Sequence, residues 1–342
     1  MKILITGIAG LMGSRLTDWI LENTNHKVVG IDDLSGGYES NISSQAKFYR
    51  FDLSKDTPYG SWVRGLGVPF TLQDIFEKEK PDIVYHFAAY AAECLSPFIR
   101  RYNYQNNVVA TANIINECIR TEVDRLVFTS SMAVYGENKP PFSEDLTPAP
   151  KDPYGVAKLA CEMDIQIAGE QHELDWCILR PHNVYGANQN IWDRYRNVLG
   201  IWMYQHMNGD PLTIFGDGNQ RRAFSYIDDS LEPMWKAGTD KRASKQIINL
   251  GSEVAITIKE ASHALSKIMG GADVVHLEPR HEVHQAFSTH EKSELLLDFK
   301  DKTSYWDGLS TMWEWAQQQP KRKRKNMEYE IDKEMYSYWR AV

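Results

Sequence analysis

The sequence has no apolar run near the ~20 residues that a helical membrane span requires, which argues against a membrane partner. Cysteine is scarce: Cys94, Cys118, Cys161 and Cys177 are the four in 342 residues. They lie far apart, with no CxxC pair and no accompanying histidine spacing, which excludes a zinc ribbon or a disulfide scaffold. Free thiols in a reducing compartment and no metal site are the expectation. Positive charge is not in surplus either, with 38 Lys and Arg against 46 Asp and Glu, a net charge of −8. That balance gives no footing for a nucleic-acid surface. The chain starts on a strand-like run rather than a signal sequence, so a cytoplasmic protein is expected. No internal repeat is visible, and the low-complexity run "KRKRK" at 321–325 reads as a solvated surface segment.

What the sequence does have is alternation. "KILIT", "HKVVGID", "DIVYHFA", "RLVFTS" and "DWCILR" are strand-like and separated by helix-compatible segments. That rhythm implies βαβ units and a parallel sheet covered by helices on both faces. After Arg180 it loosens: "NIWDRYRNVLGIWMYQHMNGD" predicts one long helix, followed by the turn-rich "GDGNQRR". The expected division is a nucleotide-binding body over 1–180 with return segments near 224–252. A smaller lobe takes 181–223 and 253–342. Residues 56–70 read as a Gly/Pro-punctuated loop, long for a connection between strand and helix.

The first turn carries the strongest local signal. "TGIAGLMG" places Gly7, Gly10 and Gly13 between a buried strand and a helix whose Met12, Leu16, Trp19 and Ile20 share one face. Glycine lets a ligand approach the main chain, and a helix N-terminus favours phosphate. Nineteen residues beyond Gly13, the second strand ends in Asp32 and Asp33. A carboxylate there accepts hydrogen bonds from ribose hydroxyls and repels a 2′-phosphate, which favours NAD over NADP. Asp52 in "FDL" is placed to meet an adenine amino group.

"PYGVAK" sets Tyr154 and Lys158 four apart, on one face of a helix. A free tyrosine, with a pKa of about 10, is a poor base. A nearby ammonium stabilises the phenolate, and a serine hydroxyl can share the bond to a substrate alcohol. The strand-end sequence "FTSSMAVYG" supplies that serine.

Together these motifs resemble the extended short-chain dehydrogenase/reductases, in the nucleotide-sugar epimerase and dehydratase branch, and most of all UDP-glucose (UDP-galactose) 4-epimerases. "DIVYHFAA", "NNVVATANII", "LRPHNVYG", "GDGNQRRAFSYIDD" and "INLGS" extend the likeness along nearly the whole chain. The resemblance implies a Rossmann-type doubly wound parallel sheet with a smaller mixed α/β substrate-binding lobe. It implies NAD as cofactor, a nucleotide sugar as substrate and a homodimer. Tyr154 matches the family's base, Lys158 the residue that holds the nicotinamide ribose, and Ser131 the hydroxyl that polarises the sugar O4. Leu11, Met12, Leu53, Phe87, Ala88, Ala89 and Pro181 match cofactor-lining positions, and Asn107 the asparagine behind the active site. Asn183, Arg222 and Arg280 match contacts to the diphosphate. For the dimer, the implied helices are 98–119 and 153–169, offering Ile114, Ile115, Cys118 and Ile119 with Leu159, Met163 and Ile167.

Some positions depart from the family pattern. Ala91 stands where many 4-epimerases carry a lysine, and Ala223 where an acid is common. Met132 and Ala133 occupy the places where 4,6-dehydratases carry an Asp-Glu pair, and neither can exchange a proton. They are expected to pack beneath the nicotinamide. Reversible oxidation at C4 therefore fits better than elimination. Two alternatives stay open. One is another nucleotide-sugar enzyme: a UDP-glucuronate or UDP-N-acetylhexosamine 4-epimerase, a reductase or a dehydratase. The other is a non-catalytic NAD(P)-sensing protein on the same fold.

Overall fold

The structure is a computed structural model that describes residues 1–55, 62–63, 70–324 and 326–340. Strands β1 (Lys2–Thr6), β2 (Lys27–Asp32), β3 (Lys47–Arg50), β4 (Trp62–Val63), β5 (Ile83–His86), β6 (Arg125–Thr129), β7 (Trp176–Pro181) and β8 (Gln246–Leu250) form one sheet. Its order is β8-β7-β6-β5-β1-β2-β3-β4. Seven strands run parallel, and only β4 pairs antiparallel, with β3. Most of the expected 56–70 loop lies outside the described residues. Within it, Trp62–Val63 is strand.

Side chains alternate between the sheet's two faces. Ile3 and Ile5 enter one layer with Leu16, Ile20, Leu231 and Met234, which come from α1 (Leu11–Asn23) and a returning helix at Ile227–Thr239. Leu4 enters the other with residues of α2 (Ala110–Arg120) and α3 (Pro153–Gln171). Because both faces are covered, the central strands read as unbroken apolar runs. Ile114, Ile115 and Cys118 belong to this second layer and are fully committed to it. They are therefore not available to a partner subunit, contrary to the sequence expectation. Leu159 is likewise packed inward, beside Met132 and Phe142.

A second core gathers Tyr185, Trp202, Met203, Leu212, Leu265 and Met312 in the smaller lobe. Two small sheets brace it, one pairing Leu212–Phe215 with Val274–Leu277 and the other built on Arg221–Ala223. The helix at Glu291–Leu297, expected in that lobe, instead contributes Leu297 to the first core, with Phe299 just after it. The segment 326–340 returns across the molecule, where Met335, Tyr336 and Trp339 pack on Leu95, Phe98 and Ile99.

Two expectations fail for local physical reasons. The long helix predicted over 190–210 is helical only as α4, Val198–Met207. Before it, Asn190 accepts hydrogen bonds from the N–H groups of Trp192 and Asp193, and Asp193 accepts one from Tyr195. Side chains that satisfy nearby backbone donors favour turns over helix, and Asn197 then caps α4. The basic run is not a uniformly solvated segment either. Arg322 lies 3.9 Å from the Tyr38 ring centroid and Arg324 4.2 Å from that of Tyr204. Planar guanidinium groups stack where ammonium groups would stay hydrated, and Lys321 and Lys323 are indeed exposed. Lys325 lies outside the described residues. No described helix is long and apolar enough to cross a membrane.

Candidate active site

One cavity runs along the carboxyl ends of the parallel strands into the smaller lobe, where ligands of open α/β sheets bind. At one end the turn after β1 opens α1. Gly7 has φ 72°, and a Cβ there would meet the Ala88 amide nitrogen at 2.8 Å. At Gly13 a Cβ would overlap the Gly7 carbonyl. The turn therefore closes only with bare backbone at both positions. No side chain caps α1, so its first N–H groups face the cavity, where Leu11, Met12 and Gly13 form the wall.

Asp32 ends β2 beside this turn. Its carboxylate accepts hydrogen bonds from the N–H groups of Ala9 (3.0 Å) and Leu34 (2.8 Å). Burial pushes its pKa up to about 6, against those two bonds, which lower it. At neutral pH it is a fixed anion with acceptor capacity to spare. Asp33, Asp52 and Leu53 line the cavity near it, and Phe87, Ala88, Ala89 and Pro181 line it further along the strand ends. Asp52 is already engaged by Ser54 and by Lys55 at 2.9 Å, so it has less to offer a ligand than Asp32. These features, a glycine cradle that no Cβ fits and an anion beside it, match a dinucleotide with a free ribose diol. Asp32→Ala is expected to weaken NAD binding roughly 10- to 150-fold, the cost of losing a charged hydrogen-bond acceptor. The preference for NAD over NADP should narrow with it. Titration of both cofactors by calorimetry checks this; unchanged affinities would move the ribose contact to Asp33.

Midway along the cavity stand Ser131, Tyr154 and Lys158, all buried. Asp152 caps α3 by accepting from the N–H groups of Tyr154 (2.9 Å) and Gly155 (3.0 Å), and Pro153 starts the helix. One helical turn later the Lys158 ammonium donates to the Thr129 carbonyl at 2.7 Å. It lies 5.9 Å from the Tyr154 ring centroid. Burial lowers the Lys158 pKa to about 8, although Cys161 and Glu162 oppose the shift. For Tyr154, burial raises the pKa, Glu93 raises it further, and a hydrogen bond with Ser131 draws it down. In the protein alone the phenol is therefore protonated, and a bound cation is needed to release it.

The other end is polar. Arg222 and Arg280 converge on one carboxylate, Glu282, at 3.1 and 3.2 Å. Arg280 also lies over the Phe215 ring, 4.6 Å from its centroid. Two guanidinium groups sharing one acid leave a net positive charge there. Asn183 lines the cavity with φ 42° and donates to the Ala223 carbonyl at 2.9 Å.

Asn107, matched in the sequence to an asparagine behind the active site, does not line the cavity, so direct contact with the cofactor is not its part. It sits in a π-helical turn, Gln105–Val109, and exchanges hydrogen bonds with the backbone N–H and C=O of Tyr90. Its work is to hold the 87–93 wall in place. Met132 and Ala133 are also absent from the wall. Met132 packs into a separate cluster with Tyr135 and Phe142, so no acid or base can act from that position. The sequence reading missed Glu93, Arg194, Arg196 and Glu282, all on the cavity wall. Arg196 is held by Asp193 at 2.8 Å and lies over Tyr90. The lone acid in "AAYAAECL" and the Asn/Asp spacing in "NIWDRYRN" were the available signals.

A seven-strand parallel sheet with a glycine turn, a carboxylate at the end of β2 and a buried Ser–Tyr–Lys set makes up an oxidoreductase-type dinucleotide site. The sequence matches the NAD dependent epimerase/dehydratase family over residues 3–251. The chain belongs to that family, and its cofactor is NAD. A UDP-glucose 4-epimerase of Mycolicibacterium smegmatis is 30% identical over 281 residues, covering 82% of this chain and 86% of the relative. Among solved structures, the UDP-glucose 4-epimerase of Thermotoga maritima with UDP-glucose is 27% identical, with a TM-score of 0.83. That match covers 93% of this chain and 99% of the other. The UDP-glucuronic acid 4-epimerase of Bacillus cereus, with UDP-glucuronic acid and NAD, is 30% identical with a TM-score of 0.81 and the same coverage.

Proposed function

We propose that the protein interconverts the C4 epimers of a UDP-hexose, UDP-glucose and UDP-galactose above others. The observation that carries this reading is the buried Ser131–Tyr154–Lys158 set beside a strand end with no further acid or base at 132 and 133. Tyr154 takes the O4 proton as the C4 hydrogen leaves, and Ser131 shares the hydrogen bond to that oxygen. Lys158, charged below pH about 8, would hold the nicotinamide ribose and favours the phenolate. When bound, NAD would supply the hydride acceptor and donor that the oxidation and re-reduction at C4 require. The 4-keto sugar turns over between the two transfers, and Tyr154 gives the proton back. Arg222 and Arg280 keep the diphosphate fixed meanwhile, a task suited to planar, permanently charged donors. Asn183 adds a polar contact on the same side.

Supporting this reading are relatives named for epimerases of glucose and glucuronic acid sugars. Incubating the protein and NAD with UDP-glucose, UDP-N-acetylglucosamine, UDP-glucuronate or GDP-mannose, followed by proton NMR, tests it. Appearance of the UDP-galactose anomeric signal from UDP-glucose, without net NADH, is the expected result. Steady consumption of NADH would point to a reductase instead.

The same reading includes a cytoplasmic homodimer, with an interface narrower than the sequence suggested. Val156, Ala160, Met163 and Ile167 are exposed on α3 at spacings of four, three and four, Met163 being 55% open and Ile167 46%. Val109, just before α2, is exposed too. Such a stripe buries itself against a second copy across a twofold axis. Light scattering at micromolar concentration should report a dimer that persists in high salt, and Met163→Glu should split it. A wild-type monomer throughout that range rejects the interface.

A further inference from the structure

Among the described residues, Glu93 is the one acid on the cavity wall between the base and the diphosphate arginines that the mechanism leaves unused. It opens the short helical segment Glu93–Phe98, whose Leu95 and Phe98 are clamped by Met335, Tyr336 and Trp339 of the C-terminal segment. Its backbone follows the stretch that Asn107 fixes through Tyr90. The side chain is therefore carried on a rigid wall, not on a free loop. Its carboxylate makes no hydrogen bond or ion pair with any described residue, whereas Glu282 nearby is shared by two arginines. The electrostatic neighbours locate it: it acts on Tyr154, and it is acted on by Asp152, Arg222, Glu282 and Arg280.

We propose that Glu93 is a specificity-determining residue that admits neutral hexoses and excludes uronates from the sugar site. The proposal rests on the epimerase reading above. A sugar with C4 at Tyr154 and its C1 phosphate at Arg222 and Arg280 spans the position of Glu93. The C2–C3 edge and the C5–C6 edge lie on opposite sides of the C1–C4 axis. Turning the 4-keto ring over exchanges those edges. A carboxylate at C6 must then face Glu93 in one of the two orientations, even if it avoids it in the other. Glu93 is open to the cavity, so a hydroxyl on either edge can donate to its unpaired carboxylate, whereas a second carboxylate is repelled by it. The arginines do not relieve this repulsion, because Glu282 and the diphosphate already share them.

Burial raises the Glu93 pKa to about 7, with Asp152 and Glu282 adding to the rise and Arg222 and Arg280 opposing it. Tyr154 and the Cys94 thiol, which is itself pushed up to about 12, are neutral neighbours. Exclusion of uronates should therefore be about half developed near pH 7, strengthen above it and fade below it.

The test compares kcat/KM and Kd for UDP-glucose and UDP-glucuronate in the full-length protein with NAD, in wild type, Glu93→Gln and Glu93→Ala. Wild type should favour UDP-glucose by roughly 10²-fold, the scale of a like-charge clash. Glu93→Gln should cut that ratio at least about 10-fold, mainly by gains on UDP-glucuronate, and remove its pH dependence. A ratio unmoved by either substitution, or a wild type that prefers UDP-glucuronate, overturns the proposal. Binding separates the two readings. If neither sugar is epimerised yet the Kd ratio still moves with Glu93, the epimerase reading falls and the role of Glu93 stands.

Discussion

Replacing Tyr154 by phenylalanine should lower turnover by about 10²- to 10⁴-fold, the range for loss of a positioned general base, while NAD stays bound. The ring is 5% exposed and packed at the start of α3, so losing one hydroxyl leaves its contacts in place. The backbone N–H that Asp152 accepts is untouched. What disappears is the group that moves the O4 proton, and Lys158, which donates to the Thr129 carbonyl, does not replace it. Burial and Glu93 hold the phenol protonated in the protein alone. Its activation thus depends on the positive charge that arrives with the cofactor, and binding and base strength become coupled. Single-turnover kinetics on UDP-glucose, with bound NAD measured in parallel, check this. Wild-type turnover in Tyr154→Phe would sink the assignment of the base.

The largest effect on stability is expected from Glu162→Ala. Glu162 on α3 receives the Arg180 guanidinium of β7 through Nη2 at 2.6 Å and Nε at 2.9 Å, and the Ser130 hydroxyl as well. The two charged side chains are 1% and 3% exposed. Arg180 also lies 4.7 Å from the Tyr135 ring centroid. Removing the acid strands a guanidinium in the interior, which costs about 3–5 kcal/mol. Replacing both partners, as Glu162→Leu with Arg180→Met, removes the charges together and should recover most of that loss. Urea unfolding of wild type and the two variants measures it. A single variant within about 1 kcal/mol of wild type would mean that water or another group reaches Arg180.

How much could be read from the chain follows from distance along it. Gly7, Gly13, Asp32, Tyr154 and Lys158 lie in short motifs whose spacing alone sets their geometry, and the structure gathers them along one cavity. Glu282 and Arg222 are sixty residues apart, and nothing local marks them as a pair until two strands meet. Arg196 was hidden by a helix that the aromatic pattern of 191–204 suggested. Ile191, Trp192 and Tyr195 are buried as a helical face would be, but in turns closed by Asn190 and Asp193. Ile114, Ile115 and Cys118 show the reverse difficulty. Their periodicity was correct, but it could not say whether the covered face meets the chain's own sheet or another subunit.

The place of β8 has a consequence for synthesis. Its partner β7 ends at Pro181, and Gln246 emerges about 65 residues later. At roughly 5–20 residues per second the nascent chain carries β7 as an open, apolar edge for about 3–13 s. Such an edge is a template for pairing with other chains. The ribosome-bound protein therefore passes through a window in which a chaperone has something to hold, and that window closes when residue 250 joins the sheet.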